Sequence, residues 1–309
     1  MAKVFYTAPN SKLGALDAVL LSGPEPANDT GPLDRVIGDI LVQGQRMTPE
    51  EVDHVLKHQS EHGTHFGEAA IALKFVSSDD VLWALSQQFH YSFASNGGAD
   101  YHDDLVAGID PFSEHAELFR EVRTNLLQGA LHPDLPKRAL AIISPNIGDG
   151  KSFVAANLAV TFSQLGGRTL LVDADMRTPR QHTVFKIPGH HGLSNLLSGR
   201  SENNVIKQLA ELPSLFVLPV GAVPPNPLEL VQRSAFSMLI QELLSKFDHV
   251  LVDTPAAEHG ADARVVAGRC GAAMAVGRVG RTKIPAMESL LKSLGKTTVR
   301  SAGVLMNQY

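Results

Sequence analysis

The chain of 309 residues has one cysteine, one tryptophan and four tyrosines. A lone Cys270 excludes an internal disulfide and fits a reducing compartment. No stretch approaches the ~20 consecutive apolar residues that cross a bilayer. The opening "MAKVFYTAPNSKLGALDAVLL" lacks the apolar block and small-residue cleavage site of a secretory leader. A cytoplasmic protein is expected, peripheral to any membrane and only through a partner. Basic residues are scarce at the front. Residues 1–110 carry 6 Lys/Arg against 16 Asp/Glu, a balance of −10, and the remainder carries 21 against 16, or +5. An acidic front half argues against nucleic acid as a partner. Charge that divides along the chain predicts two separately folding parts.

A hydrophobic content of 44% is ample for two cores. "PEPANDTGP" (24–32) is rich in turn formers, so residues 1–32 read as tail and linker. The sequence then repeats itself. "IGDILVQGQRMTPEEVDHVLKHQ" starts at Ile37 and "FGEAAIALKFVSSDDVLWALSQQ" at Phe66, aligning Gly38 with Gly67 and Val52 with Val81. Thr48-Pro49-Glu50-Glu51 and Ser77-Ser78-Asp79-Asp80 are helix starts, a hydroxyl cap followed by carboxylates. Val52, Val55 and Leu56, like Val81, Leu82 and Leu85, recur at helical spacing. A small all-helical repeat domain is expected over 33–95, with a linker over 96–112. His54, His58 and His62 share a helix face and, with their neighbours Asp53, Lys57 and Glu61, read as solvated surface, while Trp83 reads as core.

These repeats resemble the N-terminal domain of type II secretion and pilus-assembly ATPases. One subgroup of that family binds cyclic di-GMP and carries an arginine two places before each repeat's glycine. Those places here hold Val36 and His65, with Arg35 displaced by one. Protein docking is the expected role, and cyclic di-GMP stays open as a ligand.

After residue 110 the pattern becomes β-α alternation. Apolar runs at 139–144, 168–173, 214–220, 249–253, 272–278 and 302–306 predict an α/β fold. It is a P-loop NTPase-type parallel sheet with helices on both faces and ligands at the carboxyl ends of its strands. "SPNIGDGKSF" (144–153) follows the first run and opens a helix. Gly148 and Gly150 free backbone N–H groups to face phosphate oxygens. Asp149 and Phe153 belong to the same stretch. Lys151 would lie on the β- and γ-phosphates, and Ser152 would offer its hydroxyl to Mg²⁺. Pro145 stands where the usual motif begins with glycine. Asp173 and Asp175 follow the second run at a spacing of two, so both carboxylates face one way in extended chain. Asp253 ends the fourth run and suits an acid that holds Mg²⁺ through water. ParA/MinD-type ATPases place a signature lysine where this loop has Asn146.

This motif set resembles the bacterial tyrosine kinases. "LLVDADMR" and "VLVDTP" match that family's two acidic boxes, and "GLSNLLSGR", "VPPNPLELV" and "ELFREVRTNL" match three further shared stretches. With the helical front, the layout looks most like chain-length-determinant kinases of the EpsG type. The resemblance covers 113–309 and implies ATP and Mg²⁺ as cofactors, with Lys151, Asp173 and Asp175 as catalytic residues. It implies Asp173 as the group that orients or deprotonates a tyrosine hydroxyl, Asn307 as a nucleotide contact, and Arg177 as either a phosphate contact or an anchor for Asp175. It also implies homo-oligomers through Glu117, Arg120 and Arg123, and a membrane-anchored polysaccharide copolymerase as partner. The family's tail tyrosines reduce here to Tyr309; Tyr6, Tyr91 and Tyr101 lie in the front part.

Overall fold

The structure is a computed structural model and describes residues 5–7, 32–88, 101–200 and 204–308. Tyr91 and Tyr309 lie outside them, as do most of the tail, residues 89–95 of the helical domain and residues 96–100 of the linker assigned from sequence. The chain divides into two compact units, one of residues 12–98 and one of residues 1–11 with 99–309.

Among the described residues, the first unit holds α1 (Pro32–Gln43), α2 (Pro49–His62), α3 (Phe66–Ala72) and α4 (Ser78–Gln88). Its repeats are built alike. The Thr48 hydroxyl accepts the Glu51 N–H, and the Glu51 carboxylate accepts the Thr48 N–H at 2.8 Å. Ser77 and Asp80 make the same reciprocal cap, at 2.9 and 3.2 Å. Such boxes satisfy amides that a helix start leaves unpaired. The aligned glycines share a function too. A Cβ on Gly38 would lie 2.9 Å from a Val52 methyl, and one on Gly67 would lie 2.8 Å from a Val81 methyl. This close approach lets Leu41, Val55, Phe66, Ala69, Val81 and Ala84 close one core. Trp83 packs at its margin, half-buried, with the Arg46 guanidinium 4.4 Å above the ring. His58 and His62 stack at 4.1 Å, and His54 and His62 are exposed.

In the second unit, α5 (Val106–Ile109) and α6 (Glu114–Gln128) precede β2 (Ala139–Ile143), α7 (Lys151–Ser163) and β3 (Thr169–Asp173). Two short helices, α8 (Gln181–Val184) and α9 (Leu193–Leu197), lead to β4 (Lys207–Gln208) and β5 (Leu215–Leu218). Then come α10 (Pro227–Gln232), α11 (Ser234–Lys246), β6 (His249–Asp253), α12 (Asp262–Cys270), β7 (Gly271–Arg278), α13 (Ile284–Leu294) and β8 (Arg300–Asn307). The six apolar runs all form strands. A further strand, β1 (Phe5–Thr7), pairs antiparallel with β8 at the sheet edge, although the sequence reads there as tail. The order is β1-β8-β7-β2-β6-β3-β5-β4, and the six inner strands are parallel.

Alternation along β2 divides the interior. Leu140 and Ile142 enter a core with Phe119 and Leu126 of α6 and Leu158 and Phe162 of α7. Ala139, Ala141 and Ile143 enter another with Phe236 of α11, Val266 of α12 and Leu290 of α13. Strands buried on both faces become continuous apolar runs, which is why they are visible in the sequence. The stretch from residue 101, read as linker, is instead packed. Leu105 and Ala107 are fully buried, and Asn157 of α7 accepts the Ala107 N–H and donates to the Asp104 carbonyl, both at 2.8 Å.

The twin glycine contacts generate a prediction. Gly38→Ala and Gly67→Ala should each destabilise the helical unit by about 1–3 kcal/mol, because stiff valines must yield to the new methyl. Trp83, the only tryptophan, reports on that unit, so its fluorescence in a denaturant titration of the full chain checks this. Unchanged midpoints would contradict the packing described.

Candidate active site

The β2–α7 loop is shaped by its own side chains. Gly148 (φ +78°) and Gly150 (φ +101°) take left-handed conformations that only glycine adopts without strain. Fully buried Asp149 accepts the Asn146 N–H at 2.9 Å and the Thr282 hydroxyl at 2.7 Å. Ser144 donates to the Asn146 carbonyl at 2.8 Å. Glu258 accepts the Ile147 N–H, and that bond holds its carboxyl below the usual range. Pro145 in the first-glycine position is thus compatible with an ordered turn at the start of α7, where amides and helix dipole favour an anion. Lys151, the first residue of α7, is only 6% exposed.

Two parallel strand tips lie beside this loop. Asp173 and Asp253 are direct partners across β3 and β6, both with zero exposure, and Asp175 is almost as buried. Asp173 Oδ1 accepts the Asp175 N–H at 3.1 Å, and Oδ2 accepts those of Arg180 and Gln181 at 3.1 and 3.0 Å. Asp175 Oδ1 accepts the Arg177 and Thr178 N–H groups, and Oδ2 the Thr178 hydroxyl at 2.9 Å. Asp253 Oδ2 accepts from the Gln181 amide at 2.8 Å, whereas its buried Oδ1 has no hydrogen-bond partner.

Burial, then the neighbouring Asp253 charge, pushes the Asp173 carboxyl well above the ordinary range. Burial also raises Asp253, to about 6, against the pull of Lys151, Ser152 and Gln181. The pocket therefore concentrates negative charge with one lysine in its field. An unsatisfied buried carboxylate oxygen beside a phosphate-type loop fits a divalent cation, for which Ser152, Asp175 and Asp253 are the oxygen donors to hand.

Residues 140–309 match the CobQ/CobB/MinD/ParA nucleotide binding domain family. The tyrosine-protein kinase CpsD of Streptococcus agalactiae is 33% identical over 193 residues, covering 62% of this chain and 82% of that protein. The tyrosine-protein kinase YwqD of Bacillus subtilis is 32% identical over 212 residues, covering 69% and 89%. Among solved structures, the kinase domain of Escherichia coli tyrosine kinase ETK is similar at 31% identity and a TM-score of 0.62, covering 66% of this chain and 79% of that one. The chain belongs to the bacterial tyrosine-protein kinases.

Other residues singled out in the kinase sequence have varied surroundings. The Arg177 guanidinium is engaged with both carboxylate oxygens of buried Asp262, at 3.2 and 3.1 Å, at the start of α12. Asn307, at the tip of β8, donates to the Asp149 carbonyl at 3.3 Å and so buttresses the loop. The Phe153 ring turns away to meet Phe119 edge-on at 5.7 Å, leaving its main chain at the helix start. Arg120 bonds Glu117 at 2.7 Å, and Arg123 reaches the Thr161 carbonyl at 2.5 Å. Glu117 itself is 71% exposed. Gln181, Glu258, Asp262, Arg278 and Thr282 escaped the sequence reading. They lie on α8, around the start of α12 and at the end of β7, and no local spacing signals them. Arg278 reaches the Gly148 carbonyl at 3.4 Å.

The buried charge predicts a trade of function for stability. In the unfolded chain Asp253 loses its proton near 3.8, in the fold near 6, so raising pH through that window destabilises the kinase. Asp253→Asn removes the charge at constant size. Without ligand its melting temperature should exceed wild type by a few °C at pH 8, roughly 1–2 kcal/mol, and the gain should vanish below pH 4. Calorimetry at both pH values checks this; an equal or lower melting temperature at pH 8 would count against it.

Proposed function

We propose that the kinase transfers the γ-phosphoryl group of ATP, with Mg²⁺, to tyrosine, and thereby controls polymerisation or export of an exopolysaccharide. The observation that carries the reading is the convergence of three features. These are the glycine loop with Lys151 and Ser152, the paired strand-tip acids Asp173 and Asp253, and an Asp253 oxygen left without a donor. Gly148, Asp149, Gly150 and the first-turn amides, through Phe153, would cradle the phosphates, with Lys151 countering their charge. Bound Mg²⁺ would add positive charge at the transferred group. Asp173 is the proposed proton acceptor, since burial raises its proton affinity and a tyrosine hydroxyl of pKa ≈ 10 needs such help. Oδ1 accepts a single N–H and retains a lone pair for that proton. Asn307 is proposed to contact the nucleotide, and its bond to the Asp149 carbonyl, which ties it to the loop, supports that reading. Arg177 acts through its pair with Asp262, which fixes the Asp175 turn.

No described helix is long and apolar enough to cross a membrane. A cytoplasmic kinase working beside a membrane-anchored polysaccharide copolymerase is the proposed arrangement, resting on the family resemblance. Exposed Glu117 supports a contact between copies. Tyr309 or a tyrosine of the partner is the proposed acceptor. The helical unit is proposed to dock protein, because Val36 and His65 leave cyclic di-GMP without its arginine pair.

Incubation with Mg-ATP and the copolymerase, followed by phosphopeptide mapping, tests the reading. Phosphotyrosine should appear and should be lost in Lys151→Met, which removes the charge while sparing the fold. ATP hydrolysis without phosphotyrosine would instead favour an ATP-driven switch. Calorimetry with cyclic di-GMP should show no heat; a micromolar isotherm would reverse the docking assignment.

A further inference from the structure

Gln181 stands outside every motif that defines the loop and the acids, yet it ties three of them together. Its N–H donates to Asp173 Oδ2 at 3.0 Å. Its Nε2 donates to the Ser152 carbonyl at 3.1 Å and to Asp253 Oδ2 at 2.8 Å. The side chain is fully buried at the start of α8. The amide's orientation is fixed by these partners, because a flip would set Oε1 against two acceptors.

That orientation leaves an imbalance. Gln181 Oε1 is buried without a hydrogen-bond donor, and so is Asp253 Oδ1. Two buried acceptor oxygens on two hydrogen-bonded side chains leave the site short of donors. A hydrated divalent cation supplies that deficit, since Mg²⁺ keeps several waters whose hydrogens point outward. A carboxylate at 181 would add charge against Asp253, whereas an apolar residue would free the Asp253 carboxylate to turn. Outer ligands of this kind orient the inner ones.

We infer that Gln181 is a positioning residue for the metal–nucleotide complex: Nε2 fixes Asp253 relative to Ser152, and Oε1 accepts from a water of the bound cation. This rests on the function proposed above.

The test measures binding of a fluorescent ADP analogue to the full-length kinase in EDTA and in Mg²⁺. In wild type Mg²⁺ should tighten binding. In Gln181→Leu that tightening should shrink at least fivefold, while the dissociation constant in EDTA stays within twofold. Gln181→Met, unbranched and close in volume, serves if the leucine variant does not fold. An unchanged Mg²⁺ effect in the folded variant overturns the inference alone, as does an equal shift of both constants, the mark of a merely structural role. No Mg²⁺ effect in wild type overturns the proposed function and this inference with it.

Discussion

Negative charge buried at the tips of parallel strands is the constraint around which the second unit is arranged. The register of β3 against β6 sets Asp173 directly opposite Asp253. Neither carboxylate meets solvent. Removing an ion from water costs several kcal/mol even after relaxation. The surroundings are what that cost demands: three backbone N–H groups on Asp173, a hydroxyl and two N–H groups on Asp175, the Gln181 amide on Asp253 and the field of Lys151. The sheet supplies rigidity, because alternate residues of each strand are locked into separate cores on its two faces.

The loop obeys the same logic from the other side. Asp149 and Glu258 accept its amides, and Thr282 anchors Asp149 from the segment after β7. Contacts from the segments that follow β6 and β7 and from the tip of β8 therefore shape a turn whose sequence departs from the usual motif. Pro145 and Asn146 are tolerated because the turn's form does not depend on them alone.

What was legible in the sequence was what is local. Strands covered on both faces are short, uninterrupted apolar runs, so β2, β3, β5, β6, β7 and β8 stand out. The reciprocal caps at Thr48–Glu51 and Ser77–Asp80 span three residues, and the twin glycines recur with the repeat, so the helical unit was readable too. The loop and the three acids could be found because each ends such a run. The rest depends on partners far apart in the chain: Gln181 with Asp253, Arg177 with Asp262, Thr282 with Asp149. Periodicity carries no trace of such pairs. β1 was missed for a related reason, since a three-residue edge strand is fixed by β8 and not by its own pattern. Residues 101–112 look like linker by composition, and only the α7 surface that receives Leu105 and Ala107 makes them core.

The contact between Gly150 and Asn307 bears on how such a sequence can diverge. A Cβ at 150 would overlap the asparagine amide nitrogen, although the two positions lie far apart in the chain. Room is not the whole constraint: at φ +101° a side chain at 150 is strained even beside a shorter residue at the end of the last strand. A bulkier residue there, in turn, presses on a turn that has no room to retreat. Glycine at 150 is thus required twice over, by its own backbone and by the asparagine behind it.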